Sequence, residues 1–168
     1  MIINLLHSIT ASYLSNYYIY QPSINLKRLL FINSHTYFLY DTYNILNEDY
    51  LDIIHHLLSI FSLILFYIGY YEDIIIRLFY LAEMSNIAIF GHYLIMKTIN
   101  NEYIIIFSSI SEFIIYTYYR VFCMTYILFN EYELFYFTPL TPLLVIYYMS
   151  IDWSYRLLKN NLAYLNII

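Results

Sequence analysis

The chain has 168 residues, with 7 basic and 12 acidic side chains and a net charge of −5. Charged residues make up 11% of it, less than half the ~25% usual in a soluble domain. This excludes a disordered chain, which needs high charge and few aromatics, and a nucleic-acid binder, which needs a basic surface. With one cysteine, Cys123, it also excludes an intrachain disulfide framework and a cysteine-based zinc site.

Hydrophobic residues are 62% of the chain, a figure raised by 24 tyrosines. The depletion of charge is therefore the stronger sign of a membrane protein. A membrane helix needs about 20 mostly apolar residues. The length then accommodates about six transmembrane helices with short connections, in one domain over residues 1–168. No soluble catalytic domain fits beside them, so any chemistry falls to side chains in or at the edge of the bilayer.

Ile2–Tyr20 reads as the first span. The first 26 residues hold no Asp, Glu, Lys or Arg. The absence of a basic leader and of a small-residue cleavage site argues for a retained helix rather than a removable signal peptide. Gln21-Pro22-Ser23 and Lys27-Arg28 form the first connection, and the second span is Leu29–Leu46 with Asp41 inside it. After the turn Asn47-Glu48-Asp49 comes the third span, Tyr50–Tyr70, and after Tyr71-Glu72-Asp73 the fourth, Ile74–Met96, with Arg77, Glu83 and His92. The fifth, Tyr103–Phe129, carries Glu112 and Arg120. The sixth, Leu134–Leu158, has Pro139 and Pro142 near its start and Asp152 near its end.

Helices are favoured over strands because a lone spanning segment in lipid must satisfy its own backbone. The apolar runs are also continuous and about twice the length of a barrel strand. Only Gly69 and Gly91 occur and there is no GxxxG, so helix packing is expected to use Ser, Asn and aromatic contacts. Lys97, Arg156 and Lys159 fall on one side of the six-span scheme and Lys27, Arg28 and Arg77 on the other. That tie leaves orientation undecided by the positive-inside rule.

A charged group in the hydrocarbon region costs roughly 2.5–3.5 kcal/mol on insertion scales. The chain nevertheless keeps Asp41, Asp52, His55, His56, Glu83, Glu112, Arg120 and Asp152 within its spans. One shared interior, a central cavity, is the simplest arrangement that accommodates them. Asp52, His55, His56 and Ser59 stand at i, i+3, i+4 and i+7 and share a helix stripe. Asp52 is in reach of either imidazole and would fix its tautomer. A neutral histidine in a dry cavity can act as general base or accept an acyl group. The alternative is a polar seam that binds helices together.

Glu112, Tyr116 and Arg120, at i, i+4 and i+8, form either a polar wall for a lipid head group or an ion-pair network. Glu83 and Asn86 on the fourth span are read in the same two ways. Asp152 and Arg156 read as a local interfacial pair. Adjacent histidines on a helix point about 100° apart, and neither HExxH nor repeated histidine boxes occur. No metal site and no cofactor are therefore expected.

Several segments together resemble the TLC domain family, the TRAM/LAG/CLN-type membrane proteins that include ceramide synthases. They are Leu6-His7-Ser8-Ile9, Tyr40-Asp41, the stretch Asp52-Ile53-Ile54-His55-His56-Leu57-Leu58-Ser59, Leu81-Ala82-Glu83-Met84-Ser85-Asn86, Tyr119-Arg120 and Trp153. The resemblance covers nearly the whole chain. It implies six helices around a tunnel for acyl chains, membrane lipids or acyl chains as partners, and residence in the endoplasmic reticulum or another internal membrane. It also implies that His55 and His56 move a fatty acyl group, with acyl-CoA as the candidate donor. The synthases carry His-Asp-x-Ser-Asp on the helix after the histidine pair, where this chain has Leu81–Asn86. That places it nearer the smaller TLC-domain-containing proteins, whose roles involve membrane lipid composition, and the resemblance implies a protein that binds, senses or regulates membrane lipids, with acyl transfer of the sphingolipid/ceramide type as its catalytic form. A non-catalytic cargo or assembly factor, its polar residues serving helix packing, is the competing expectation.

Overall fold

The computed structural model describes residues 2–45, 50–136 and 138–164. Among them the chain is helical, without strands. Helix α1 is Ile2–Tyr20, α2 is Ile24–Ile45, α3 is Tyr50–Tyr67 and α4 is Glu72–Thr98. A continuous rod, Glu102–Asn130, consists of α5 (Glu102–Tyr116), a π-helical segment (Thr117–Cys123) and α6 (Met124–Asn130). The short α7 (Tyr132–Phe135) precedes α8 (Leu143–Tyr164). Leu46 at the end of the expected second span and the turn Asn47-Glu48-Asp49 lie outside the described residues.

The helix ends follow local chemistry. α3 stops at Tyr67, short of the expected Tyr70, because Gly69 takes a left-handed backbone with φ 89°. The amide of Tyr70 donates to the Leu65 carbonyl at 2.9 Å and that of Gly69 to Phe66 at 3.1 Å, the pairing that closes a helix on a glycine. The side chain of Asn101 caps α5 by accepting from the Ile104 amide at 3.3 Å. The expected sixth span begins nine residues later than foreseen, at Leu143. Pro139 and Pro142 lack an amide donor and disfavour helix in the residue before them. They therefore stand in the break before α8 instead of inside it.

α3, α4 and the Glu102–Asn130 rod are long and apolar enough to cross a membrane. α1, α2 and α8, with 19, 22 and 22 residues, match them in length but carry more polar side chains. The distribution of residues also suits a membrane. Serines 8, 12, 15, 34, 62, 85, 108, 109, 150 and 154 are buried, whereas Phe107, Phe122 and Phe129 are exposed on the outer surface.

Neighbour relations among the helices close on themselves. α1 packs on α2 and α4, α2 on α3, α3 on α8, α8 on α5 and the π segment, and these in turn on α4, while α3 also meets α4 directly. The broadest contact is α1 against α4. It is made by a face of small residues, Ser8, Ala11, Ser12 and Ser15, all buried. The Ser12 and Ser15 hydroxyls donate to carbonyls of their own helix at 2.6 Å, so those two are satisfied on a narrow face. At one end of the bundle Lys27 meets Glu72 at 2.5 Å, and Tyr18 donates to the same carboxylate. The starts of α2 and α4 are thereby tied to the end of α1.

Candidate functional site

Inside the ring lies a cavity bounded by α2, α3, α4, the rod and α8. About 60 Å³ of it is open to the centres of water-sized spheres, several times the roughly 10–15 Å³ that one water requires. Its walls follow helical spacing. α4 contributes Ile75, Leu78, Phe79, Ala82, Glu83 and Asn86, a single face at i, i+3, i+4 and i+7. Arg120, Met124 and Leu128 follow at intervals of four on the rod, and His55, Ser59, Ser62 and Leu63 face them from α3.

Along each of these helices the lining changes from polar to apolar in the same direction through the bundle. His55, Glu83, Asn86 and Arg120 form one end. Leu63, Ile75, Leu78, Leu128, Leu143 and Ile146 form the other. From Asn86 to Ile75 the wall extends about 16 Å at the helical rise of about 1.5 Å per residue. The result is an amphipathic slot.

The polar end is built around two buried charges. Glu83 and Arg120 are each 1% exposed, and buried charges persist only when compensated. The Arg120 Nε donates to the Ser85 hydroxyl at 2.8 Å and Nη2 to Asn86 Oδ1 at 3.1 Å. Asn86 Nδ2 in turn donates to Glu83 Oε2 at 3.4 Å. The other Glu83 oxygen lies 3.7 Å from His7 Nε2 on α1. His7 stacks on Tyr37 of α2 with ring centroids 3.7 Å apart, and its Nδ1 is 3.3 Å from Asn33 Nδ2. One chain of polar contacts thus runs from the π segment through α4 and α1 to α2. The Arg120 guanidinium lies 5.9 Å from the Tyr116 ring centroid. Its Nη1 has no hydrogen-bond partner among the described residues.

The adjacent histidines part company, as the 100° step between neighbouring helical positions requires. His56 Nε2 is 3.6 Å from Asp41 Oδ2, and its Nδ1 is 3.4 Å from the Thr42 hydroxyl; both partners are on α2. His55 faces the cavity, its ring edge-on to Trp153 at 5.5 Å. Its Nδ1 is buried without a hydrogen-bond partner among the described residues. Asp41 of α2 brings a carboxylate to ion-pair distance of His56, while Asp52, the expected orienter, sits half-buried in the first turn of α3, on the same stripe as the pair.

Of the residues singled out from the sequence, His55, Ser59, Glu83, Asn86 and Arg120 line the cavity. The Ser59 hydroxyl donates to the His55 carbonyl at 2.8 Å. Asp41, Asp52, His56, Glu112 and Tyr116 are not among its lining residues. Glu112 lies 3.7 Å from His92 Nε2, and His92 Nδ1 is 2.7 Å from the Ser108 hydroxyl. Tyr116 is fully buried. Asp152 and Arg156 form the expected local pair at 2.7 Å.

The roles of Asn33, Tyr37 and Ser108 were not apparent from the sequence, because each is a common residue whose partner lies on another helix. Among the described residues no group of three or more His, Cys, Asp or Glu is placed to share a metal ion. Comparison with family models, curated proteins and solved structures finds no match to this chain.

Proposed function

We propose that this chain is an integral membrane protein that crosses the bilayer six times and seats the acyl chain of a membrane lipid in its central cavity. The observation that supports it is the slot itself, apolar at one end and closed at the other by His55, Glu83, Asn86 and Arg120. A lipid has the same polarity along its length. The closed sequence of helix neighbours supports six crossings, since α1, α2 and α8 complete the wall around α3, α4 and the rod. The resemblance to TLC domain proteins points the same way, and with it residence in an internal membrane such as the endoplasmic reticulum.

The catalytic form of this proposal is transfer of a fatty acyl group from acyl-CoA to the amine of a sphingoid base, in which the thioester bond breaks, an amide forms, His55 takes the amine proton as general base and the CoA thiolate leaves and receives that proton. His55 lines the cavity and has a buried ring nitrogen without a hydrogen-bond partner among the described residues, whereas His56 is engaged by Asp41 and Thr42. Mass spectrometry of lipids carried by the purified intact protein tests the binding claim. A long-chain lipid in stoichiometric amount is the expected result, and protein free of acyl lipid removes it. For transfer, His55→Ala is expected to abolish turnover and His56→Ala to leave most of it, with both proteins assembled in membranes.

A second reading, a non-catalytic assembly factor whose buried polar groups serve packing, draws on a specific observation. Three histidine–carboxylate pairs, His7–Glu83, Asp41–His56 and His92–Glu112, each join two neighbouring helices. They account for His7, His56 and His92, but not for His35, which stacks on Phe31, or for His55, which lines the cavity.

A further inference from the structure

We propose that the polar end of the cavity is a seat for a singly charged oxyacid head group carried on an apolar chain. The head group would be held by the open guanidinium edge of Arg120 and the open ring nitrogen of His55. This rests on the lipid-binding proposal above and specifies the class of amphiphile.

A guanidinium has five N–H donors. Ser85 takes the one on Nε and Asn86 takes one on Nη2. The second donor on Nη2 and both on Nη1 remain, and Nη1 has no hydrogen-bond partner among the described residues. One donor on each Nη points from the end of the fork, the edge that a planar or tetrahedral oxyanion grips with two parallel bonds. Arg120 is 1% exposed and His55 9% exposed, so bulk water does not satisfy them. Native proteins rarely leave buried donors without a partner. His7 Nε2, His35 Nδ1 and the hydroxyls of Ser8, Ser34 and Tyr116 share that state among the described residues, but of all of these only Arg120 and His55 line this cavity. Both side chains line the same cavity, and the His55 ring donates from Nδ1 in the tautomer that carries its proton there.

Glu83 lines the same end and sets the charge that fits. Its oxygens are already approached by His7 and by Asn86, so it does not close the free edge of Arg120. It does repel a second negative charge. A carboxylate or a phosphodiester therefore suits the seat better than a phosphate monoester, and the apolar wall from Leu78 to Leu128 receives the chain attached to it.

The test uses the full chain in dodecylmaltoside micelles and three radiolabelled probes with the same number of chain carbons: palmitate, hexadecanol and palmitoyl lysophosphatidylglycerol. Retention of each probe by the protein is measured at about pH 9, where the micellar acid is ionised. Palmitate is expected to bind on the order of tenfold more tightly than hexadecanol, the scale of a charge-assisted hydrogen bond. Arg120→Gln is expected to remove that preference while hexadecanol binding stays unchanged. Tighter binding of the lysophosphatidylglycerol than of palmitate supports the seat and identifies the phosphodiester as its ligand; the reverse order supports it and identifies the carboxylate. Equal binding of palmitate and hexadecanol by the unaltered protein overturns the seat and leaves the lipid cavity standing. No retention of any probe overturns both. The comparison of head groups on the unaltered protein decides the matter even where Arg120→Gln fails to fold.

Discussion

Two polar clusters join α4 to the rod that follows it, and they differ in what they leave open. Near the end of α4, His92 meets the Ser108 hydroxyl at 2.7 Å and the Glu112 carboxylate at 3.7 Å, so both its ring nitrogens face a partner. Further back along α4, Arg120 bonds Ser85 and Asn86 but leaves Nη1 without a hydrogen-bond partner among the described residues, beside a cavity that it lines together with His55. The two clusters use the same helices and similar side chains. The first is closed and works as an interhelical joint. The second is closed on the Glu83 side, open on the other, and so has capacity left for a ligand. Buried polarity in a membrane protein therefore does not by itself mark a site; open donors beside empty space do.

The contrast can be broken first at Glu83. Glu83→Ala removes the carboxylate that faces His7 and accepts from Asn86, and leaves Arg120 buried without it. We expect a loss of about 3–5 kcal/mol, the scale for breaking a buried ion pair, seen as a lower unfolding midpoint in detergent. An unchanged midpoint would mean that the chain of contacts from α1 to the π segment does not hold the bundle together.

A second substitution addresses the empty space. Ala82→Phe projects a ring into the slot between its two ends. Co-purified lipid should fall several-fold, while any overpacking cost stays within about 1–3 kcal/mol. Retained lipid at full level would place the chain elsewhere.

The sharpest comparison pairs His92→Ala with His55→Ala. The first should cost roughly 0.6–1.7 kcal/mol, the range of interhelical hydrogen bonds in membranes, with lipid content unchanged. The second should do the opposite, leaving the unfolding midpoint in place while lipid content or acyl transfer drops. Identical behaviour of the two would erase the distinction between joint and site. The smallest effect belongs to Arg156→Ala. Its partner is Asp152 at 2.7 Å, with both side chains well exposed, so the change should stay within about 1 kcal/mol and leave lipid content untouched.

Much of this was legible in the sequence. The first helix runs over Ile2–Tyr20 as expected, and the Asp152–Arg156 pair forms where its spacing placed it. The α1–α4 face shows the expected serines, Ser8, Ser12 and Ser15, but with Ala11 it is a face of small residues, not one of aromatic contacts. The start of the last helix was misplaced because the apolar run continues through Pro139 and Pro142, and composition does not register a missing amide. Asp41 was missed as a neighbour of His56 because spacing along one helix reveals only local neighbours, whereas Asp41 arrives from α2.

The amino-acid sequence by itself determined that the chain is helical, that its surface suits lipid, and that a fixed set of ionisable residues must find partners or a use inside. These follow from composition and from local rules of backbone hydrogen bonding, which act within a few residues. Only the tertiary structure decided which of two adjacent histidines faces a cavity, which carboxylate meets which ring, and that Arg120 is left with open donors. Each of those outcomes depends on the rotation of one helix against another, and that rotation is set by packing between residues far apart in the chain.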